Sequence, residues 1–178
     1  MKKRVLILSG SPRRGGNSDL LCDEFARGAA EAGHAVEKIR VAEKNIHACT
    51  GCYACRACGA CPFDDDMAEI MQKLIDADVL VLASPVYFYS IAAQLKTVID
   101  RSVARWTEVR NKELYYIMTA ADDSREAMDG TLACFRGYAR CIDGAVERGT
   151  IYGCGVHEKG AIADKPAMRE AFGMGRGV

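Results

Sequence analysis

The chain has 178 residues, one domain's worth by the usual prior and long enough to bury a core. Apolar residues make up 49% and charged residues 27%, which excludes a disordered, collagen-like or coiled-coil chain. Lysine plus arginine and aspartate plus glutamate are 24 each, so no whole-surface positive field exists to bind nucleic acid or anionic lipid, and any anion site must be local.

Val5-Leu6-Ile7-Leu8 is a continuous apolar run and reads as a buried parallel strand. Met1-Lys2-Lys3-Arg4 leads into it with no small-residue cleavage site after it, so a secretory signal is not expected and the expected compartment is the cytoplasm. The following Ser9-Gly10-Ser11-Pro12-Arg13-Arg14-Gly15-Gly16-Asn17-Ser18 crowds small residues, hydroxyls and two guanidinium groups ahead of a helix. That suits an anion, because a helix N-terminus presents unpaired N–H groups and a positive dipole end. No Gly-Lys-Ser/Thr follows the glycines and the Gly-x-Gly-x-x-Gly order is missing, so a terminal phosphate is favoured over a nucleoside triphosphate or dinucleotide. The plainer alternative is a turn and a cap with solvated arginines. The helix should open near Ser18, with Asn17 or Ser18 as cap, Asp19 in its first turn and Gly33 just beyond its end.

Ala35 to Val41 alternates like a half-exposed edge strand. Cys49, Cys52, Cys55, Cys58 and Cys61 then recur every third residue. On an α-helix such steps drift by about 60° each, so a segment looping round a metal centre fits better. Three thiolates at this spacing can take three corners of one iron-sulfur cluster, with the fourth supplied from elsewhere. A ferredoxin-like register would use Cys52, Cys55, Cys58 and Cys61 before Pro62, but its last gap is one residue short. Structural zinc and metal-free thiols are the competing readings. Nine cysteines in a chain expected in a reducing compartment argue for metal or redox use rather than a disulfide framework.

Asp64, Asp65 and Asp66 should start the next helix through cap and dipole, followed by Met67, Ile70, Met71, Leu74 and Ile75 at helical spacing. Val79 to Leu82 is the next buried strand, and Ser84-Pro85-Val86-Tyr87-Phe88-Tyr89-Ser90 places a rigid turn and three aromatics at its end. Such a loop can hold a flat ring, or its aromatics can simply pack in the core or at an interface. The uncharged stretch Val79 to Ala93 holds Pro85 and falls short of the roughly 20 apolar residues of a membrane span. Ile91, Leu95, Val98, Ile99 and Ser102 form one helix face, with Asp100 and Arg101 expected either to pair at its end or to serve an interface. Leu114 to Met118 is a further strand. About Ser124 to Asp143 reads as a helix, whole or broken, weakened by roughly 1 kcal/mol at each of Gly130 and Gly137, and Val146 to Tyr152 as a weaker fifth strand. The tail Gly173 to Val178 is expected to be loose at its end. Cys22, Cys134, Cys141 and Cys154 are assigned to packing.

Strands alternating with helices imply an α/β class in three layers with a parallel sheet. The common orders include the flavodoxin-like 2-1-3-4-5, which puts a ligand at the carboxyl ends of strands 1 and 3.

Taken together, Gly10-Ser11-Pro12-Arg13 with Asn17-Ser18, Asp65-Asp66-Met67, Ser84-Pro85-Val86-Tyr87-Phe88, Lys96 and Asp100-Arg101 resemble the NAD(P)H-dependent FMN reductase and iron-sulfur flavoprotein group of the flavodoxin-like superfamily. The resemblance is strong from Val5 to Arg101 and weak beyond. It implies a single flavodoxin-like domain over 1–178, with five parallel strands in the order 2-1-3-4-5 and a cysteine-rich loop at about 47–63 between strand 2 and helix 2. It implies Ser9, Ser11, Arg13, Asn17 and Ser18 at the FMN phosphate, and Pro85, Val86, Tyr87 and Phe88 around the isoalloxazine ring. Thr119 and Ala120, after strand 4, would close the other side through backbone contacts, although the glycine-rich stretch common there is absent. The iron-sulfur flavoprotein pattern maps a [4Fe-4S] cluster onto Cys49, Cys52, Cys55 and Cys61 and leaves Cys58 spare.

The implied activity is hydride transfer from NAD(P)H to FMN and onward to a quinone, flavin or other small acceptor, with no catalytic side chain. The alternative is an iron-sulfur flavoprotein carrying electrons with ferredoxin-type partners. A homodimer or homotetramer is implied, and neither nucleic acid nor membrane is an expected partner. A third reading is a non-redox module that binds another phosphate compound and carries zinc in the cysteine run.

Overall fold

The computed structural model describes residues 1–178. Five strands, β1 (Arg4–Ser9), β2 (Ala35–Arg40), β3 (Val79–Pro85), β4 (Glu113–Thr119) and β5 (Val146–Gly153), pair entirely in parallel in the order β2-β1-β3-β4-β5. Because successive side chains of a strand point to opposite faces, each central strand feeds two cores. Leu6, Leu8, Leu80, Leu82, Leu114 and Tyr116 face one side, where α3 (Met67–Asp76), α4 (Ala93–Arg101) and α5 (Asp129–Ala139) cover them. Val5, Ile7, Val79, Val81, Tyr115 and Ile117 face the other, under α1 (Asn17–Glu31) and α6 (Pro166–Arg176). The unbroken apolar runs follow from this two-sided burial, and β2 alternates because it is an edge strand.

Several local expectations are corrected. The N-cap of α1 is Gly16, with Asn17 and Ser18 already helical. Its C-terminus closes as a Schellman turn: Gly33, at φ 92°, donates to the Ala30 carbonyl, and His34 donates to the Ala29 carbonyl. The helix expected from Ser124 starts late, because the Ser124 N–H is taken by the Asp122 carboxylate at 2.8 Å and a 3-10 turn, Glu126–Met128, precedes α5.

The tail is helical as far as Arg176: Gly173 to Arg176 form the last turn of α6, which Pro166 starts in its first turn. A Cβ at Gly28 would sit 2.2 Å from the Phe172 carbonyl oxygen, and one at Gly175 would sit 2.1 Å from that of Phe25. Those glycines therefore let α1 and α6 touch backbone to backbone. The cysteine run lies between β2 and α3 and is irregular except for α2 (Ala54–Cys58), a single turn set between Tyr53 and Gly59, both left-handed.

Candidate functional site

The carboxyl ends of β1 and β3 are adjacent, and the loops leaving them diverge to opposite faces of the sheet, which opens a crevice there. After β1 the chain passes close under β3: Gly10 donates to the Ala83 carbonyl at 2.8 Å, and a Cβ at Gly10 would lie 2.9 Å from that of Leu95. The loop then folds on itself. The Arg13 N–H donates to Ser11 Oγ at 3.2 Å, and Gly16 donates to the Arg13 carbonyl at 3.1 Å.

Beneath the loop lies Asp19, whose carboxylate accepts from the Gly15 N–H at 2.9 Å and the Ser9 hydroxyl at 3.2 Å, and pairs with Lys38 at 3.1 Å and with Arg40. Burial pushes this carboxyl up, but the Gly15 N–H and the Lys38 and Arg40 cations outweigh it and hold it below the ordinary range. Ser9, fully buried, thus braces the loop from below and does not face the crevice.

The result is a helix start with unspent donors. The N–H groups of Asn17, Ser18 and Asp19 make no hydrogen bond within the chain. Ser18 Oγ is buried and also lacks a partner. Buried polar atoms are seldom left unpaired, and here four donors converge where the α1 dipole is positive. Asn17 and Ser18 open on a hollow of about 220 Å³, lined also by Ser11, Arg13, Pro85, Val86, Tyr87 and Thr119, together with Gly16, Ala121, Val156 and His157, with Asp19 just behind them. Arg13 Nη1 reaches the His157 carbonyl at 3.3 Å, whereas Arg14 turns away to Glu43 at 2.8 Å.

The wall opposite α1 is the aromatic turn. Ser84 Oγ accepts from the Ala92 N–H at 2.8 Å, and Tyr87 and Ser90 exchange both backbone hydrogen bonds, at 2.9 and 3.0 Å. Between them Phe88 and Tyr89 are left-handed, at φ 48° and 59°, the arrangement of a type I′ turn, which ordinarily selects Asn and Gly. Tyr87 is 41% exposed and lines the hollow; Phe88 stands fully in solvent at the tip and does not.

Thr119 lines the hollow and its carbonyl accepts from Val86 at 2.8 Å. Ala120 is buried, with its N–H given to Gly153 and its carbonyl to Val156, so that Ala121 faces the hollow instead. The segment after β5, which supplies Val156 and His157, was not singled out from the sequence. Gly153-Cys154-Gly155 after a predicted strand was the signal for a loop at that end of the sheet.

A second hollow, about 380 Å³, lies over the cysteine run and is lined by Cys49, Cys52, Cys55 and Cys61 with Phe63, Arg101 and Trp106. Cys58 is absent from that wall, its thiol directed at the carbonyls of Ala54 and Ala60, 3.6 and 3.4 Å away. The thiols are not drawn together into a coordinating group. The Ala54 N–H draws the Cys52 thiol below its ordinary pKa.

The two ends of the run are joined by a buried ion pair: Arg101 donates to both Asp65 oxygens, at 2.7 and 3.0 Å, and to the His47 carbonyl at 2.7 Å. Asp65 also accepts from the N–H groups of His47 and Met67, at 3.0 and 3.1 Å. Burial pushes the Asp65 carboxyl up, but Arg101 and these N–H groups together hold it far below the carboxylate range. The expected Asp100–Arg101 pair does not form; Asp100 holds Lys96 at 2.5 Å, one turn away on the exposed helix face. Asp65 serves the start of α3 and the Arg101 contact at once.

The parallel sheet and the donor-lined crevice at its switch point define a flavodoxin-like, mononucleotide-binding class. An NAD(P)H:quinone oxidoreductase from Methanothermobacter marburgensis superposes with a TM-score of 0.75 at 17% identity, over 99% of this chain and 96% of that one. An azoreductase from Bacillus anthracis superposes at 0.73 and 15% identity over the whole of both chains. The chain belongs to the NADPH-dependent FMN reductase family, whose model matches residues 3–136. It is 46% identical over 99 residues to an iron-sulfur flavoprotein of Methanocaldococcus jannaschii, covering 56% of this chain and 51% of that protein. It is 42% identical over 99 residues to an iron-sulfur flavoprotein of Archaeoglobus fulgidus, covering 56% and 44%. The chain thus spans about half the length of these curated relatives.

Proposed function

We propose that the protein is an FMN-dependent oxidoreductase that takes hydride from NAD(P)H and passes electrons to a quinone, flavin or other small acceptor. The observation that carries this reading is the set of unspent donors at the start of α1, facing an aromatic turn across one crevice. A phosphate monoester, which only accepts hydrogen bonds at neutral pH, suits the Asn17, Ser18 and Asp19 N–H groups, Ser18 Oγ, Ser11 and the Arg13 guanidinium. Pro85, Val86 and Tyr87 offer an apolar wall to a flat ring, with Phe88 beyond it at the turn's tip. FMN, when bound, supplies the hydride acceptance and the onward electron release. The chain's own residues bind it, orient it and shield one face. Family membership adds that NAD(P)H is the reductant.

The cysteine run supports the second reading, an iron-sulfur flavoprotein acting with ferredoxin-type partners. Four thiols share one hollow while the fifth is turned aside, and the Arg101 guanidinium lines the same hollow as a fixed positive charge. Cys49, Cys52, Cys55 and Cys61 would hold the [4Fe-4S] cluster. A homodimer or homotetramer accords with the exposed Tyr87, Phe88, Tyr89 and Trp106. No helix is long and apolar enough to cross a membrane, and the thiol-rich loop accords with a cytoplasmic setting.

Anaerobic purification with flavin, iron and sulfide analysis tests both readings. Joint substitution Arg13→Ala and Ser18→Ala should remove FMN and the NAD(P)H-dependent reductase activity, and undiminished flavin content refutes the site. Cys55→Ser should abolish iron and the broad brown absorption, whereas Cys58→Ser should keep both. Iron-free wild-type protein from strictly anaerobic cells refutes the cluster.

A further inference from the structure

Asn17 stands at the mouth of the phosphate loop and resembles a phosphate ligand, but its side chain is already committed elsewhere. Nδ2 donates to the carbonyls of Val156 and Glu158, at 3.1 and 3.0 Å, and Oδ1 accepts from the Ile162 N–H at 3.2 Å. The amide cannot be turned over, since that would set its oxygen against two carbonyl oxygens and its NH2 against an N–H. Both donor hydrogens are spent. What remains is a lone pair on Oδ1, and a phosphate has no hydrogen to give it.

The partners all lie in one segment, 156–162, which follows β5 and leads toward α6. Val156 and Ile162 are buried, while His157, Glu158 and Lys159 between them are exposed. Within itself the segment makes only turns, Ala161 donating to the Glu158 carbonyl at 3.2 Å; to the rest of the fold it is tied by Asn17, by Arg13 to the His157 carbonyl and by Val156 to the Ala120 carbonyl. Through Val156 and His157 it forms one wall of the hollow.

We propose that Asn17 is a positioning residue: its side chain clamps residues 156–162 against the phosphate loop and so builds the third wall of the flavin hollow, while only its backbone N–H addresses the phosphate. The proposal rests on the flavin reading above and deepens it. It makes the segment after β5 part of the binding site.

The test separates a clamp from a ligand by comparing FMN with riboflavin, which lacks the phosphate. In Asn17→Ala both flavins should weaken by the same factor, roughly tenfold or more, leaving the FMN-to-riboflavin ratio within about twofold of wild type. Arg13→Ala, a true phosphate contact, should collapse that ratio. A ratio that falls in Asn17→Ala as it does in Arg13→Ala overturns the proposal and leaves the flavin reading intact. Wild-type protein that binds neither flavin overturns the flavin reading.

Amide hydrogen exchange on flavin-free protein then decides the clamp by itself. Exchange across 156–162 should rise in Asn17→Ala and not in Arg14→Ala, whose side chain turns away to Glu43, and unchanged exchange in Asn17→Ala refutes the clamp. Should Asn17→Ala not fold, 15N NMR of the wild type serves. The Asn17 side-chain amide signals should stay in place on adding FMN while the Ser18 N–H signal moves. A large shift of the Asn17 side-chain signals overturns the proposal.

Discussion

Arg101→Met tests how the cysteine run is anchored. Arg101 and Asp65 are almost fully buried, at 2% and 0% side-chain exposure, and share two hydrogen bonds. Methionine keeps much of the volume but leaves the carboxylate buried without its cation, and breaking a buried pair from one side costs roughly 3–5 kcal/mol. Asp65 keeps two backbone N–H donors, from His47 and Met67, which places the loss toward the lower end, about 3 kcal/mol. At roughly 2–4 °C per kcal/mol for a chain of this size, the midpoint should fall by about 6–12 °C. Thermal and urea unfolding followed by far-UV circular dichroism measure it. The double variant Arg101→Met with Asp65→Asn should recover part of the loss, because the amide oxygen still accepts an N–H and the stranded charge is gone. A single-variant loss below about 1 kcal/mol, the value of a surface pair, refutes the reasoning.

The remaining predictions concern separate parts of the fold. Gly28→Ala places a methyl group 2.2 Å from the Phe172 carbonyl oxygen and should cost about 1–3 kcal/mol in urea unfolding by forcing α1 from α6; a neutral effect refutes the close approach. Phe88→Gly removes an exposed ring from a left-handed position that costs about 1–2 kcal/mol, so it should raise the melting temperature and, because Phe88 lies outside the hollow, leave flavin retention unchanged; a lowered melting temperature contradicts it. Asp19 has a carboxyl pKa below its ordinary value in the folded protein, so its stabilisation is present above the unfolded value, about 3.9, and is lost as pH falls through the folded one. Asp19→Asn should therefore lower stability at neutral pH and flatten its acid dependence, and an acid limb parallel to wild type shows that other groups carry it.

The features legible in the sequence were those carried by neighbouring residues. Val5 to Leu8 and Val79 to Leu82 are apolar without interruption because both sheet faces are covered, and the small, hydroxylic loop before α1 states its anion preference through a helix start. The same local reading gives no sign that the tail from Gly173 is helical, because a glycine's lack of a side chain signifies flexibility in isolation but, at Gly175, close approach to α1 in a packed helix pair.

Tertiary structure alone decided that Arg101 takes Asp65, 36 residues away, rather than adjacent Asp100, and that Asn17 takes carbonyls 139 and 141 residues away. It also decided that Cys58 leaves the wall its four neighbours share. Periodicity and capping act over one turn or one strand, whereas a buried polar group must be paired with whatever the folded chain brings within about 3 Å, and no local pattern encodes that partner.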